Sequence, residues 1–208
     1  MTDYKAASRE YFDNLAPRYD AHYYGRHGRQ QYQRVLEISE RWKFSSVLDV
    51  GCGAGSLLDA LKRPRMKLAG ADISPGMIAE ATKRLGRAAD LRVADSEKLP
   101  WKAGSFDLVV TTDSLHHWPD PRKAFSEMKR VLKKGGHVVV ADVSAPPVLR
   151  QIGNWVAKFG KEGDVAVYSL AELERMLLGA GFVDVRKEHL SFMAIVVSAV
   201  AGALPRRG

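Results

Sequence analysis

The sequence predicts an α/β fold in which a mostly parallel sheet is covered by helices on both faces. From about residue 45 onward, short apolar runs alternate with longer stretches of helical spacing. Strands that alternate with helices pair in parallel through crossover connections. The runs at 108–110 and 138–141 are almost continuously apolar, which is typical of strands buried on both sides.

Five strands follow one another in this part of the chain, and we predict them at 47–50, 67–71, 91–94, 106–111 and 137–143. Two of the intervening helices have recognisable starts, because Ser74 precedes Pro75 and Asp120 precedes Pro121. A short polar side chain caps a helix, and proline suits its first turn. The run Lys133-Lys134-Gly135 predicts the end of the second of these helices.

The C-terminal region predicts one more helix and a hairpin. The helix runs from Ser169, which has capping-box spacing to Glu172, to Gly181. Strands at 182–188 and 191–199 follow, separated by a very short turn at 189–190. So short a connection joins antiparallel neighbours, so the last strand is expected to oppose the others.

Composition indicates one soluble domain. The chain has 208 residues, of which 46% are hydrophobic and 27% charged. A single cysteine, Cys52, excludes an internal disulfide framework and a cysteine-cluster zinc site. The N-terminus has no apolar leader and no run is long enough to span a bilayer, so we expect a cytoplasmic protein without a membrane span.

The formal net charge of +8 is spread along the chain. The one basic cluster, at 62–67, lacks the interleaved aromatic residues of an RNA-binding patch. A solvated loop is the favoured interpretation, and nucleic acid is not an expected partner.

A glycine-rich turn is the sharpest motif. The apolar run from Val47 leads into Gly51, Gly53 and Gly55, and a helix follows. Such a turn lets the backbone approach a nucleotide-like ligand closely. The glycine spacing differs from that of dinucleotide-binding turns, because Ser56 occupies the position of their last glycine. A phosphate-binding loop is excluded as well, because no Lys-Ser/Thr pair follows the turn. A plain tight turn remains the alternative.

Acidic residues end the next two strands. Asp72 is placed to accept the hydroxyl groups of a ribose, and Asp95 to accept from an adenine amino group. With Asp49 beside the glycine turn, three carboxylates are expected to converge on one crevice at the carboxyl ends of three strands. Turn capping would account for any one of them, but less well for all three.

These motifs together resemble a known family. The run 47–55, Asp72, Ala94-Asp95, the segment 106–109 and the segment 132–136 are similar to class I S-adenosylmethionine-dependent methyltransferases. The similarity is greatest to type 11 domains, which include the ubiquinone/menaquinone C-methyltransferases. The segments 11–13 and 16–20 resemble the lead-in helix of that subgroup. The family implies a Rossmann-like three-layer αβα sandwich with strand order 3-2-1-4-5-7-6 and strand 7 antiparallel.

The resemblance also implies a cofactor, S-adenosyl-L-methionine, with S-adenosyl-L-homocysteine as product, and roles for individual residues. The glycine turn and Asp49 would surround the methionine portion, Ile73 and Met77 would pack the adenine ring, and Tyr19 would close over the cofactor. The residues expected to bind the cofactor are Tyr19, Asp49, Gly51, Cys52, Gly53, Gly55, Asp72, Ile73, Met77, Ala94, Asp95, Ser96, Thr112, Asp113 and His117. No metal ligand is expected.

A general base is optional for methyl transfer, because the sulfonium already activates the methyl group and orientation supplies much of the rate. The candidates are His116, His117 and His22, of which we assign His117 and His22 as the catalytic candidates. For His117 the favoured interpretation is a residue that lines the cofactor pocket rather than a base, and His22 belongs either to a lid or to a plain surface position.

The chain is expected to form one methyltransferase domain: an N-terminal helical lid (1–44), the cofactor core (45–143), a substrate-side connection (144–168) and the last helix with its hairpin (169–208). In the connection, Trp155, Phe159 and Tyr168 either line an acceptor pocket or, as favoured, pack on an amphipathic helix. We expect a small or mid-sized organic acceptor and a monomer or homodimer. The alternatives are an RNA or protein methyltransferase, a non-catalytic cofactor-binding protein and, more remotely, a nicotinamide dehydrogenase.

Overall fold

The computed structural model describes residues 3–21, 29–157, 160 and 163–202. The strands are β1 (Ser46–Val50), β2 (Lys67–Asp72), β3 (Ala89–Val93), β4 (Phe106–Thr112), β5 (Leu132–Val143), β6 (Phe182–Ser191) and β7 (Ala194–Ala201). The α-helices are α1 (Tyr4–Leu15), α2 (Arg29–Ser39), α3 (Ser56–Leu61), α4 (Pro75–Leu85), α5 (Pro121–Val131), α6 (Pro147–Ala157) and α7 (Leu170–Gly179). Short 3-10 helices lie at Ala16–Ala21, Gly86–Ala88 and Leu115–His117.

The seven strands form one sheet in the order β3-β2-β1-β4-β5-β7-β6. All neighbours pair in parallel except β7, which is antiparallel to both β5 and β6. The strand order and the direction of the last strand are therefore confirmed. This topology places the carboxyl ends of the parallel strands along one edge of the sheet, where ligands of open α/β folds bind.

Helices cover both faces of the sheet, as the apolar strands require. Leu48 and Val109 pack into a core with α5 and α7, whereas their neighbours Val47 and Leu108 pack into a second core with α2 and α3. Successive residues of a strand point to opposite faces, so a strand between two cores is apolar throughout. None of the helices among the described residues combines the length and the apolar character needed to span a bilayer.

The predicted helix starts are confirmed in atomic detail. The side chain of Ser74 accepts a hydrogen bond from the Met77 amide, and that of Asp120 accepts one from Lys123. At α7, Ser169 and Glu172 form both hydrogen bonds of a capping box. These contacts satisfy amides that the first helical turn leaves without a partner.

Two predicted boundaries are wrong. Helix α5 ends at Val131, and β5 begins at Leu132, because Leu132 is buried and pairs with Phe106 on β4. Gly135 does have a positive φ of 75°, but it lies within β5 and does not end a helix. The hairpin turn falls after Ser191, three residues later than predicted, because His189 still pairs with Ile195 on β7.

Candidate functional site

The glycine turn follows β1 at the carboxyl edge of the sheet. The amides of Gly51 and Cys52 both donate to the carbonyl of Ala71 on β2, at 2.8 and 3.0 Å. Gly51 has a φ of 77°, and a Cβ atom there would lie 2.0 Å from the Ser114 Oγ. Glycine at 51 is therefore required both by the backbone conformation and by the approach of the loop after β4.

A cleft of about 770 Å³, measured out to its open mouth, lies over this turn. Thirteen of the residues expected from the sequence line it, which are Tyr19, Gly51, Cys52, Gly53, Asp72, Ile73, Met77, Ala94, Asp95, Ser96, Thr112, Asp113 and His117.

Three other expected residues are not among the lining residues. Asp49 is buried in β1. Gly55 precedes α3 with a φ of 81°, and a Cβ atom there would lie 3.0 Å from Leu85 Cδ1. This glycine allows α3 and α4 to pack closely. His22, one of the two catalytic candidates, lies outside the described residues.

Asp72 links the end of β2 to the glycine turn. One of its carboxylate oxygens accepts a hydrogen bond from the Gly53 amide and the other accepts one from the Ser74 amide, both at 2.9 Å. Burial raises the pKa of Asp72 to about 6, although these two amide donors oppose that rise.

The buried Asp49 and the partly buried Asp72 and Asp113 lie around the methionine end predicted for the cleft. Burial raises the pKa of Asp49 to about 8, and repulsion from Asp72 adds to it. Burial likewise raises the pKa of Asp113 to about 7, with repulsion from Asp142 as the next cause. Among the described residues, Asp49 Oδ1 is buried without a hydrogen-bond partner. A positively charged ligand would relieve this accumulated desolvation and repulsion.

Two residues of α2 complete this end of the cleft, and neither is among the residues predicted from the sequence. Gln31 is buried, and its Nε2 donates a short hydrogen bond to Asp113 Oδ1. Tyr32 lines the cleft, and burial raises the pKa of its phenol. Asp113 itself has a φ of 46°, a conformation that aspartate tolerates better than most side chains. No local sequence signal marks Gln31 or Tyr32, because α2 is amphipathic in an ordinary way.

The adenine end predicted for the cleft carries an ion pair. Lys5 of α1 contacts Asp95 Oδ2 at 2.7 Å and Glu97 Oε1 at 2.8 Å. Helix α1 is held there by Asp13, which accepts hydrogen bonds from the Ser74 hydroxyl and the Gly76 amide. The carboxylate expected to accept from an adenine amino group therefore holds a lysine in this structure. Lys5 is not predicted from the sequence, because no local pattern marks it.

The Tyr19 ring lies over the glycine turn, and its closing over the cofactor stays a prediction. A Cβ atom on Gly53 would lie 3.7 Å from the Tyr19 ring, and burial raises the pKa of the phenol. The 3-10 helix that carries Tyr19 is fixed to α4 by a close ion pair between Asp20 and Arg84. Cys52 beneath it is buried, and burial raises the pKa of its thiol well above the ordinary value, so it acts as a small filler.

Two histidines follow β4, and each lies against a carboxylate. His116 Nδ1 is 2.6 Å from Asp142 Oδ1, and His117 Nδ1 is 3.0 Å from Asp164 Oδ1. Burial opposes protonation of His116, but attraction to Asp142 prevails and raises its pKa to about 9. Burial and repulsion from His116 lower the pKa of His117. His117 is therefore a neutral imidazole at neutral pH, and it lines the cleft.

The side chains of His116, His117 and Asp164 each place one potential metal-ligand atom within 4.8 Å of the others. Ion pairs explain why these three side chains lie together without a metal ion, because a protonated His116 has Asp142 on one side and Asp164 on the other. The expectation that the site uses no metal stays a prediction.

Comparison with known proteins agrees with this geometry. Residues 48–140 match the family described as "Methyltransferase domain". A demethylmenaquinone methyltransferase of Staphylococcus aureus is 31% identical over 179 residues, which are 74% of this chain and 74% of that protein. The chain belongs to the methyltransferase-domain family.

Other members of the family differ in length. A demethylmenaquinone methyltransferase of Clavibacter sepedonicus is 39% identical over 106 residues. That alignment covers 49% of this chain, and the chain spans only 42% of the relative. The fold is shared more widely: a chain of the complex that contains the Haloferax volcanii Trm112 methyltransferase activator superposes with a TM-score of 0.80 at 20% identity, covering 92% of this chain and 98% of that one.

Proposed function

We propose that this protein binds S-adenosyl-L-methionine and transfers its methyl group to a small or mid-sized organic acceptor. The observation that carries this proposal is the charge of the cleft around the glycine turn. Asp72 and Asp113 line the cleft partly buried, and Asp49 is buried in β1 next to the turn, all three with raised pKa values; Asp49 Oδ1 has no partner among the described residues. A ligand that carries an ammonium and a sulfonium group fits this surplus of carboxyl groups.

The same charge disfavours a nicotinamide dinucleotide. Among the lining residues, Lys5 is the one lysine or arginine, and it is engaged by Asp95 and Glu97. A pyrophosphate needs positive charge or free helix amides at close range. The Asp72 carboxylate beside the turn would instead repel it.

The positions of the lining residues along the cleft indicate which of them would hold each part of the cofactor. Asp72 and Asp95 lie at the ends of β2 and β3, where the family resemblance puts the ribose and the adenine. Met77 and Ile73 offer apolar surface beside them. When bound, the cofactor supplies a methyl group made electrophilic by its sulfonium. Tyr19 and Tyr32, both partly buried and both lining the cleft, would exclude water from that group.

His117 is the catalytic candidate that lies among the described residues. It lines the cleft, its lowered pKa keeps it neutral, and Asp164 lies against its Nδ1. A neutral imidazole with one nitrogen beside a carboxylate can accept a proton at the other. We infer that it takes the proton of an acceptor hydroxyl or acidic carbon as the methyl group is transferred. The two curated relatives, named for a demethylmenaquinone acceptor, support a small-molecule acceptor.

Calorimetric titration tests the cofactor first. S-adenosylmethionine and S-adenosylhomocysteine are expected to bind, and NAD is not. Incubation with a cofactor labelled in its methyl group and a metabolite extract then identifies the labelled product. Binding of neither sulfur compound would overturn the proposal. Binding without transfer to any metabolite, protein or RNA would instead indicate a non-catalytic cofactor-binding protein.

A further inference from the structure

Asp142, near the end of β5, holds the loop after β4 with both of its carboxylate oxygens. The residue is 3% exposed. Its Oδ2 accepts hydrogen bonds from the amides of Ser114 and Leu115, at 3.2 and 2.8 Å. Its Oδ1 accepts one from the Val143 amide at 2.7 Å, and the His116 Nδ1 lies 2.6 Å from the same oxygen. Because both oxygens act as acceptors, the facing nitrogen of His116 carries a proton.

The main chain of His116 holds the connection that leads to α7. Its carbonyl accepts hydrogen bonds from the amides of Val165 and Ala166, at 2.8 and 3.2 Å. These two residues directly follow Asp164 in the chain. The ring of His116 faces the same aspartate, since its Nε2 lies 3.9 Å from Asp164 Oδ1. His116 therefore joins β5, the loop after β4 and the connection.

Asp164 also contacts the second histidine of the loop. Its Oδ1 is 3.0 Å from His117 Nδ1, and the centroids of the two histidine rings are 4.1 Å apart. This oxygen and this nitrogen are both buried, and neither has another hydrogen-bond partner among the described residues. A carboxylate at this distance favours a proton on Nδ1 of His117. In a neutral ring the lone pair is then on Nε2, where the proposed reaction needs a proton acceptor.

We propose that His116 is a positioning residue for His117. It holds Asp164 beside Nδ1 of His117 and thereby fixes the tautomer in which Nε2 can accept a proton. The ring of His116 does this as a cation, because attraction to Asp142 outweighs burial and raises its pKa to about 9. The chemical use of this tautomer rests on the proposed methyl transfer, but the tautomer itself does not.

A role in folding alone is the alternative for His116. Its contact with Asp142 fixes the loop after β4 whether or not a carboxylate is present at position 164. A positioning role instead requires that carboxylate. The two roles therefore differ in one property, which is whether the effect of replacing His116 on His117 depends on Asp164.

A double-mutant cycle, followed by NMR of nitrogen-15-labelled histidine, tests the proposal without any methyl acceptor. At about pH 7.5 we expect His117 of the unmodified chain to carry its proton on Nδ1. His116→Asn offers a neutral amide to Asp142 and removes the charge. It should lower the ratio of the Nδ1–H to the Nε2–H tautomer of His117 by at least about fivefold. In the background of Asp164→Asn, the same change should alter that ratio by less than about twofold.

His189→Asn is the matched control, because it exchanges the same two residue types at an exposed position of the edge strand β6. It should leave the tautomer of His117 unchanged. In methyl transfer, His116→Asn should lower kcat by at least about tenfold, while the dissociation constant of S-adenosylmethionine changes by less than about twofold. Circular dichroism checks that the variants are folded.

Two outcomes would overturn the proposal. The first is an Nε2–H tautomer of His117 in the unmodified chain, a measurement that stands even if His116→Asn does not fold. The second is an equal effect of His116→Asn with and without the carboxylate of Asp164, which would leave His116 a structural role alone. The expected tautomer cycle in a protein that transfers no methyl group would support the positioning role and contradict the proposed function instead.

Discussion

Asp72 Oδ2 accepts a hydrogen bond of 2.9 Å from the backbone amide of Gly53. The contact joins the end of β2 to the turn after β1, so the carboxylate expected to bind a ribose also fixes the glycine turn. The other oxygen of Asp72 accepts from the Ser74 amide at the start of α4. One side chain thereby orders three segments of the cleft.

Replacing Asp72 tests this double role. We expect Asp72→Asn to weaken S-adenosylmethionine binding by about 10- to 100-fold, because it removes a charged hydrogen-bond acceptor from a buried site. Isothermal titration measures the loss. Asp59→Asn, which neutralises an exposed carboxylate on the adjacent helix α3, should leave the affinity within about twofold. Equal effects of the two variants would contradict a specific role for Asp72.

Asp49 makes stability depend on pH. Its pKa is about 8 in the folded protein against a usual value of 3.8. Between these two pH values the folded state therefore keeps a proton on Asp49 that the unfolded state has lost. The free energy of unfolding of the ligand-free protein should therefore fall as pH rises from 5 to 8. In Asp49→Asn the fall should be shallower, since Asn does not titrate. Melting temperatures of both proteins at pH 5, 6.5 and 8 provide the measurement, and parallel curves would show that Asp49 is not responsible.

Lys5 competes with an adenine amino group for Asp95 if the cofactor is held as proposed. We expect Lys5→Ala to tighten S-adenosylmethionine binding by up to about fivefold, the range of a partly exposed ion pair. Lys5→Arg keeps the positive charge and should bind the cofactor as the unmodified chain does. Weaker binding by Lys5→Ala would show that the lysine contributes to the cofactor site and does not obstruct it.

His117 and Asp164 are expected to affect turnover more than affinity. His117→Ala should lower the rate of methyl transfer by about 10²–10⁴-fold, while the dissociation constant of the cofactor changes little. Asp164→Asn should move the acidic limb of the pH–rate profile to lower pH, because Asp164 raises the pKa of His117 against the effect of burial. A loss of affinity that matches the loss of rate would assign His117 to cofactor binding alone.

Two constraints require glycine at position 51, the positive φ of the backbone and the approach of Ser114. Their energetic costs can be measured separately. Gly51→Ala adds a Cβ atom 2.0 Å from Ser114 Oγ and places alanine at a positive φ of 77°. We expect a loss of about 2–4 kcal/mol in the free energy of unfolding. In the background of Ser114→Gly, which removes the overlapping atoms, the same change should cost only about 1 kcal/mol for the backbone conformation. Denaturant unfolding of the four proteins of this cycle measures both costs, and an unchanged cost in the Ser114→Gly background would rule out the overlap.

Helix α6 shows where sequence reasoning about the connection 144–168 was incomplete. The favoured interpretation placed Trp155 on an amphipathic helix, and such a helix is present. Trp155 is nevertheless 63% exposed, because Arg150 and Asn154 on the other face have polar partners on the protein. Periodicity identifies the two faces of a helix, but not which of them meets the protein. Phe159 lies outside the described residues, and Tyr168 packs against the core instead of lining the cleft.

The sequence by itself determined the alternation of strands and helices, the helix caps, the glycine turn and the acidic residues at the strand ends. Each of these is a local pattern, and parallel topology then brings the strand ends to one edge without further information. Only the tertiary structure decided the contacts of Lys5 with Asp95 and of Gln31 with Asp113, which join residues 90 and 82 positions apart. It likewise decided the contact of His117 with Asp164. Such pairs form only when a helix or a connection packs across the sheet edge. The spacing of residues along the chain carries no information about that packing.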